Sequence, residues 1–86
     1  MPEISRFLGI VIKMFYLDHP PSHFHVEYGE FKASFSIDEL KIIEGHLPGR
    51  VVGLVIEWAL LHQEELKLDW KLAEEEKPLN KIKPLV

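Results

Sequence analysis

His23-Phe24-His25-Val26-Glu27-Tyr28-Gly29-Glu30-Phe31-Lys32-Ala33-Ser34-Phe35-Ser36-Ile37 alternates apolar and polar side chains on both sides of one glycine. In an extended strand alternate side chains share a face, so the stretch reads as two strands of a hairpin. Gly29 separates them because a glycine backbone enters positive φ at little cost. With Tyr28-Gly29 as the tight turn, Val26 pairs with Phe31, His25 with Lys32, Phe24 with Ala33 and His23 with Ser34. Phe24, Val26, Phe31, Ala33, Phe35 and Ile37 then line a buried face. His23, His25, Glu27, Lys32, Ser34 and Ser36 line a polar one.

Upstream, residues 9–16 are rich in Ile, Val, Met and aromatic side chains, a strand composition, and residues 4–8 suit an earlier short strand. Leu17-Asp18-His19-Pro20-Pro21-Ser22 is turn chemistry and joins two strands. Downstream, residues 40–44 suit a short fourth strand before Gly45, and Leu47-Pro48 announces a helix. Val51, Leu54, Val55, Trp58, Leu61, His62, Leu66, Trp70 and Ala73 form an apolar stripe at helical spacing. Unbroken over residues 48–76, that helix would run about 40 Å at about 1.5 Å per residue. A compact chain of this length has a radius of gyration of about 12 Å. The helix must therefore kink, near residues 64–68, or project an end bearing Leu68 and Leu72 toward a partner. Residues 77–86, with two prolines and three lysines, suit an extended tail along a sheet edge or on another chain.

The expected architecture is a single α+β domain over residues 1–86. An antiparallel sheet of three to four strands occupies about residues 4–44, one face covered by a long C-terminal helix over about 48–76, and 77–86 form the tail. Eighty-six residues, 47% of them hydrophobic, suffice for one core. A net charge of −4 and a pI near 5.7 disfavour a protein that coats nucleic acid nonspecifically. Without cysteine there are neither disulfides nor thiolate metal sites, which fits a reducing cytoplasm. The opening Met1-Pro2-Glu3 has no basic lead, and the apolar run 7–16 is short and interrupted by Lys13, which argues against secretion and membrane insertion.

Several local patterns, taken together, resemble a group of small bacterial proteins classed as domain of unknown function 4160. They are Ile4-Ser5-Arg6-Phe7-Leu8-Gly9-Ile10, Asp18-His19 followed by prolines, the run from His23 to Glu30, and Ser36-Ile37-Asp38. Glu44-Gly45, Leu47-Pro48, Glu57-Trp58-Ala59 with His62, Glu65-Leu66, Trp70 and Lys77-Pro78-Leu79 complete the match. Similar proteins place the paired prolines directly before the first histidine, whereas here Ser22 intervenes. The resemblance implies a candidate toxin-antitoxin component, encoded beside a second small protein, with the histidine-bearing protein as the suspected toxin.

Two imidazoles and a carboxylate on one sheet face support three readings. An effector cleaving RNA needs a base for the 2′-hydroxyl, an acid for the leaving oxygen and cations for the phosphoryl charge. His23 and His25 would move protons, Lys32 with Lys13 or Arg6 would supply charge, and no cofactor is needed. Lys32 beside His25 would favour the neutral imidazole, while Glu27 and Glu30 would repel phosphate. A metal site would use His23, His25 and Glu27, with His19 or Asp18 completing the shell. Against it, residues two apart on a flat strand stand roughly 7 Å apart at about 3.4 Å per residue, and Lys32 opposes a cation. Alternatively the histidines simply face water, and the helix and tail serve a protein-binding or regulatory module. A partner protein encoded nearby and RNA are the expected partners, and a homodimer is compatible with the chain. His62 on the apolar stripe reads as a satisfied core histidine.

Overall fold

The computed structural model describes residues 2–86. The described chain opens with five strands: β1 (Glu3–Phe7), β2 (Ile10–Lys13), β3 (His23–Tyr28), β4 (Phe31–Ser36) and β5 (Ile42–His46). Two helices follow, α1 (Gly49–Leu61) and α2 (Gln63–Glu74). The strands form an antiparallel meander in chain order. The α+β class stands, with five strands instead of three or four and two helices instead of one. The added strand is β1, turned into β2 by Leu8 and Gly9, whose φ angles of 50° and 79° suit a two-residue hairpin.

The β3–β4 register differs from the expected one by two residues. Gly29, at φ 57°, takes the first central position of the turn and Glu30 the second, so Tyr28 pairs with Phe31. His25 therefore faces Ser34, and Lys32 faces Glu27. A slip of two leaves every side chain on its expected face, because the strand period is two. Phe24, Val26, Ala33, Phe35 and Ile37 are buried with Ile10, Ile12 and Met14 under Val51, Val55, Trp58, Leu66 and Ala73, whereas Phe31, expected among them, is exposed beside the turn.

The apolar stripe breaks at His62, whose φ and ψ of −126° and 22° are not helical and whose N–H bonds the Ala59 carbonyl three residues back. The break falls before the expected residues 64–68. Beyond it, the Gln63 side-chain amide donates to the carbonyls of Ile37 and Asp38 at 2.7 and 3.3 Å, which ties the start of α2 to the end of β4. The molecule's longest dimension stays at 33 Å, shorter than an unbroken helix. Leu61, assigned to the stripe by spacing, is exposed, and Ala59 is buried. The His62 ring lies against Trp58 and bonds Glu65 at 2.5 Å, so it is satisfied at the helix junction.

The tail closes the β1 edge. The Ile82 N–H donates to the Ile4 carbonyl at 2.7 Å and its side chain is buried; Lys81 Nζ reaches the Glu3 carbonyl, and Trp58 Nε1 donates to the Lys83 carbonyl. Asp69 of α2 accepts the Asn80 N–H at 2.9 Å. Burial pushes the Asp69 carboxyl above its ordinary range; the Asn80 N–H opposes this and the Glu65 charge adds to it. No helix among the described residues is long and apolar enough to cross a membrane.

At the opposite edge, Gly45 of β5 pairs with Ala33 at φ 86°, and a Cβ there would lie 2.2 Å from the Lys32 carbonyl oxygen. Gly45→Ala is expected to cost at least about 1–3 kcal/mol for the backbone conformation alone, and Ile82→Ala about 2–5 kcal/mol for the emptied site. Urea unfolding of both variants checks the two values.

Candidate functional site

The site lies where β3 begins, on the sheet face turned away from α1. The segment between β2 and β3 is held from both sides: the Leu17 N–H donates to the Ala73 carbonyl of α2, and the Ile37 N–H to the Ser22 carbonyl. Between these anchors, Leu17 takes a φ of 53° and the Pro20-Pro21 bond is cis. Asp18 lies over β3. One of its carboxylate oxygens, Oδ2, lies 3.0 Å from His23 Nε2 and 2.9 Å from His25 Nε2. The other, Oδ1, accepts the His19 N–H at 2.9 Å.

The far side of each ring is also engaged. His23 Nδ1 is 2.7 Å from the Pro21 carbonyl, and His25 Nδ1 is 3.3 Å from Ser34 Oγ. A carbonyl and a carboxylate only accept, so hydrogen bonding assigns a hydrogen to each His23 nitrogen. The serine hydroxyl can donate or accept, so His25 is satisfied with or without a hydrogen on Nδ1. Trp70 of α2 lies against His23 with ring centroids 5.2 Å apart, and Phe15 meets His25 edge-on at 4.5 Å.

Burial alone would push the Asp18 carboxyl up. The hydrogen bonds from His25 and the His19 N–H, with the charge and hydrogen bond of His23, outweigh it and hold the carboxyl below its ordinary value.

The observed register rearranges the expected site. His23 and His25 share the polar face, but the His23 side chain is 3% exposed and sits behind Asp18, while His25, at 27%, borders a cavity of about 390 Å³. Phe15, Glu27, Lys32, Ser34 and Glu44 also line that cavity. Lys32 is thus in the site but not beside His25. Glu27 bonds Lys13 at 3.0 Å, which compensates its charge, and sits opposite Lys32 in the strand register without an ion pair to it. Arg6 is paired with Glu3 on β1, two strands from His25. His19 is exposed and does not line the cavity, its Nδ1 3.2 Å from the Pro20 carbonyl.

Asp18, a secondary candidate by sequence, is the centre of the cluster, and Ser34, Phe15, Pro21 and Trp70 were not singled out for it. The signal for Asp18 was its place in a proline-braced turn five residues before His23; the others depend on register and on the helix break.

A family model, domain of unknown function DUF4160, matches residues 9–71. The chain belongs to the DUF4160 family. That match spans β2 to α2, and with them Asp18, His23, His25 and Ser34. Comparison with curated proteins and with solved structures gives no match. The DUF4160 assignment leaves the chemistry to be argued from the site.

Because the Asp18 carboxyl is held low, its contribution to stability is present above the unfolded-state value of about 3.9 and fades as pH falls through the lower folded-state value. Asp18→Asn is expected to be about 1–3 kcal/mol less stable than the wild type at pH 6. The gap should begin to narrow below about pH 4, where the unfolded chain's carboxyl takes up its proton, and close as pH falls through the lower folded-state value. Urea unfolding at pH 6, 4 and 3 measures it.

Proposed function

We propose that this DUF4160 chain is an effector that cleaves RNA at the polar face of its sheet, as one half of a two-protein pair. The carrying observation is the gathering of two imidazoles by one part-buried carboxylate, one of the rings, His25, lying at the wall of a cavity that also presents Lys32. In such a cleavage the 2′-oxygen attacks phosphorus, its proton leaves to the enzyme, the bond to the 5′-oxygen breaks and that oxygen takes up a proton. In this reading the Asp18–His25 pair takes the first proton, and His23 fixes the carboxylate from behind. Lys32 has no carboxylate within salt-bridge distance among the described residues and is free to meet phosphate. Phe15 offers a ring face on which a base can stack.

A second reading, a protein-binding module, is favoured by exposed Leu60, Leu61 and Leu68 on the helices. The tail contributes little to it, because its backbone and Ile82 are spent on β1 and Trp58.

Incubation of the purified chain with a single-stranded RNA is expected to yield fragments ending in 2′,3′-cyclic phosphate and 5′-hydroxyl. His25→Ala should lower the rate by about 10²–10⁴-fold, whereas Lys41→Ala, on the exposed β4–β5 connection, should leave it unchanged. Intact RNA after prolonged incubation, or equal cleavage by His25→Ala, rejects the effector reading.

A further inference from the structure

The cavity wall supplies one unpaired cation, Lys32, beside Glu27 and Glu44, which is little positive charge for a site that must face a phosphodiester. The cluster behind it has a donor set that could bring more. Asp18, His23 and His25 each offer one ligand atom, and the three atoms lie within 4.8 Å of one another. Ligands about 2.1 Å from an ion and at right angles to each other are about 3 Å apart. Asp18 Oδ2 stands 3.0 and 2.9 Å from the two Nε2 atoms, close to that spacing, so a shared ion could take the place of the two hydrogen bonds.

The rings are also oriented as metal-bound imidazoles are. A ligating histidine turns one nitrogen to the ion and gives the N–H of the other to a carbonyl, carboxylate or water, which fixes its tautomer. His23 gives Nδ1–H to the Pro21 carbonyl, and His25 Nδ1 has Ser34 Oγ, which can accept when Nε2 carries an ion instead of a hydrogen. Trp70 and Phe15 pack against the rings and limit their rotation. The objection from Lys32 lapses with the register, since a serine and not an ammonium stands opposite His25. Lys13, the neighbour on the other side, has its ammonium on Glu27.

We propose that Asp18 Oδ2, His23 Nε2 and His25 Nε2 form a two-histidine, one-carboxylate site for a divalent transition-metal ion such as Zn²⁺, Mn²⁺ or Fe²⁺. Neutral imidazole and carboxylate without thiolate suit that class of ion. His25 and Asp18 are partly exposed, so the ion's remaining positions fall to water or substrate on the cavity side. This site rests on the RNA reading for its substrate: an ion there would supply the charge that the face lacks and would take Asp18 and His25 out of the proton transfer, while the site itself rests on geometry that holds for any substrate.

The test titrates chelator-treated, full-length protein with Zn²⁺ and, separately, with Co²⁺, following heat and the visible absorption of Co²⁺. One ion per chain at micromolar affinity or tighter is expected. Ser34→Ala should weaken binding about 10-fold or more, as loss of a partner that orients a ligand does, and His25→Ala should weaken it further. Amide spectra establish that both variants are folded; Ser34→Ala, which removes one hydroxyl, keeps the test decisive if His25→Ala unfolds. Absence of uptake, or uptake reduced by His19→Ala and not by His25→Ala, overturns the site. RNA cleavage that persists in chelator, with no bound metal by elemental analysis, overturns the ion's part in the cleavage. Metal binding at these residues without RNA cleavage upholds the site and rejects the RNA reading.

Discussion

One carboxylate oxygen accepts from two imidazoles, and the rest of the polar face is arranged around that contact. A buried charge without partners is costly in a protein interior. Asp18 escapes the cost through His23, His25 and the His19 N–H, which together keep it ionised. The arrangement is demanding in return. His23 and His25 must stand on one face of a strand, the turn before them must carry Asp18 back over that face, and each outer nitrogen needs its own partner.

The other features of the fold can be understood as meeting those demands. Alternation in β3 puts both rings on one side, and the two-residue turn at Gly29-Glu30 sets the register that brings Ser34 to His25. The break at His62 lets α2 take its own course across the core, and α2 then supplies Trp70 against His23 and the Ala73 carbonyl that anchors Leu17. An unbroken helix would carry Trp70 along the line of α1. The tail and Trp58 act at the other end, where they shield β1, an edge that would otherwise present unpaired backbone groups.

What could be read from the sequence followed from periodicity. The face of every residue in β3 and β4 was legible, because alternation depends on side-chain chemistry alone and a slip of two residues preserves it. Partnerships across strands were not, because they depend on which residues occupy the turn: Gly29 could be its first central residue or its second. That ambiguity misplaced Lys32 beside His25. The need for a helix break was legible from length, but its position was not, since neither proline nor glycine marks His62 and the Gln63 contacts are tertiary. β1 was only half visible because its turn uses Leu8 at positive φ, a conformation unusual for leucine. Asp18 was legible as a turn residue, but its aim at both histidines needed the loop's path.

The central claim is that Asp18 holds both rings through Nε2 while Pro21 and Ser34 hold them through Nδ1. Long-range ¹H–¹⁵N spectra of the histidine side chains in metal-free protein at neutral pH test it most directly. The account predicts slow-exchanging hydrogens on both nitrogens of His23 and on Nε2 of His25, with fast exchange at the exposed His19 ring. A His23 ring lacking hydrogen on Nδ1, or a His25 ring exchanging as fast as His19, would contradict it.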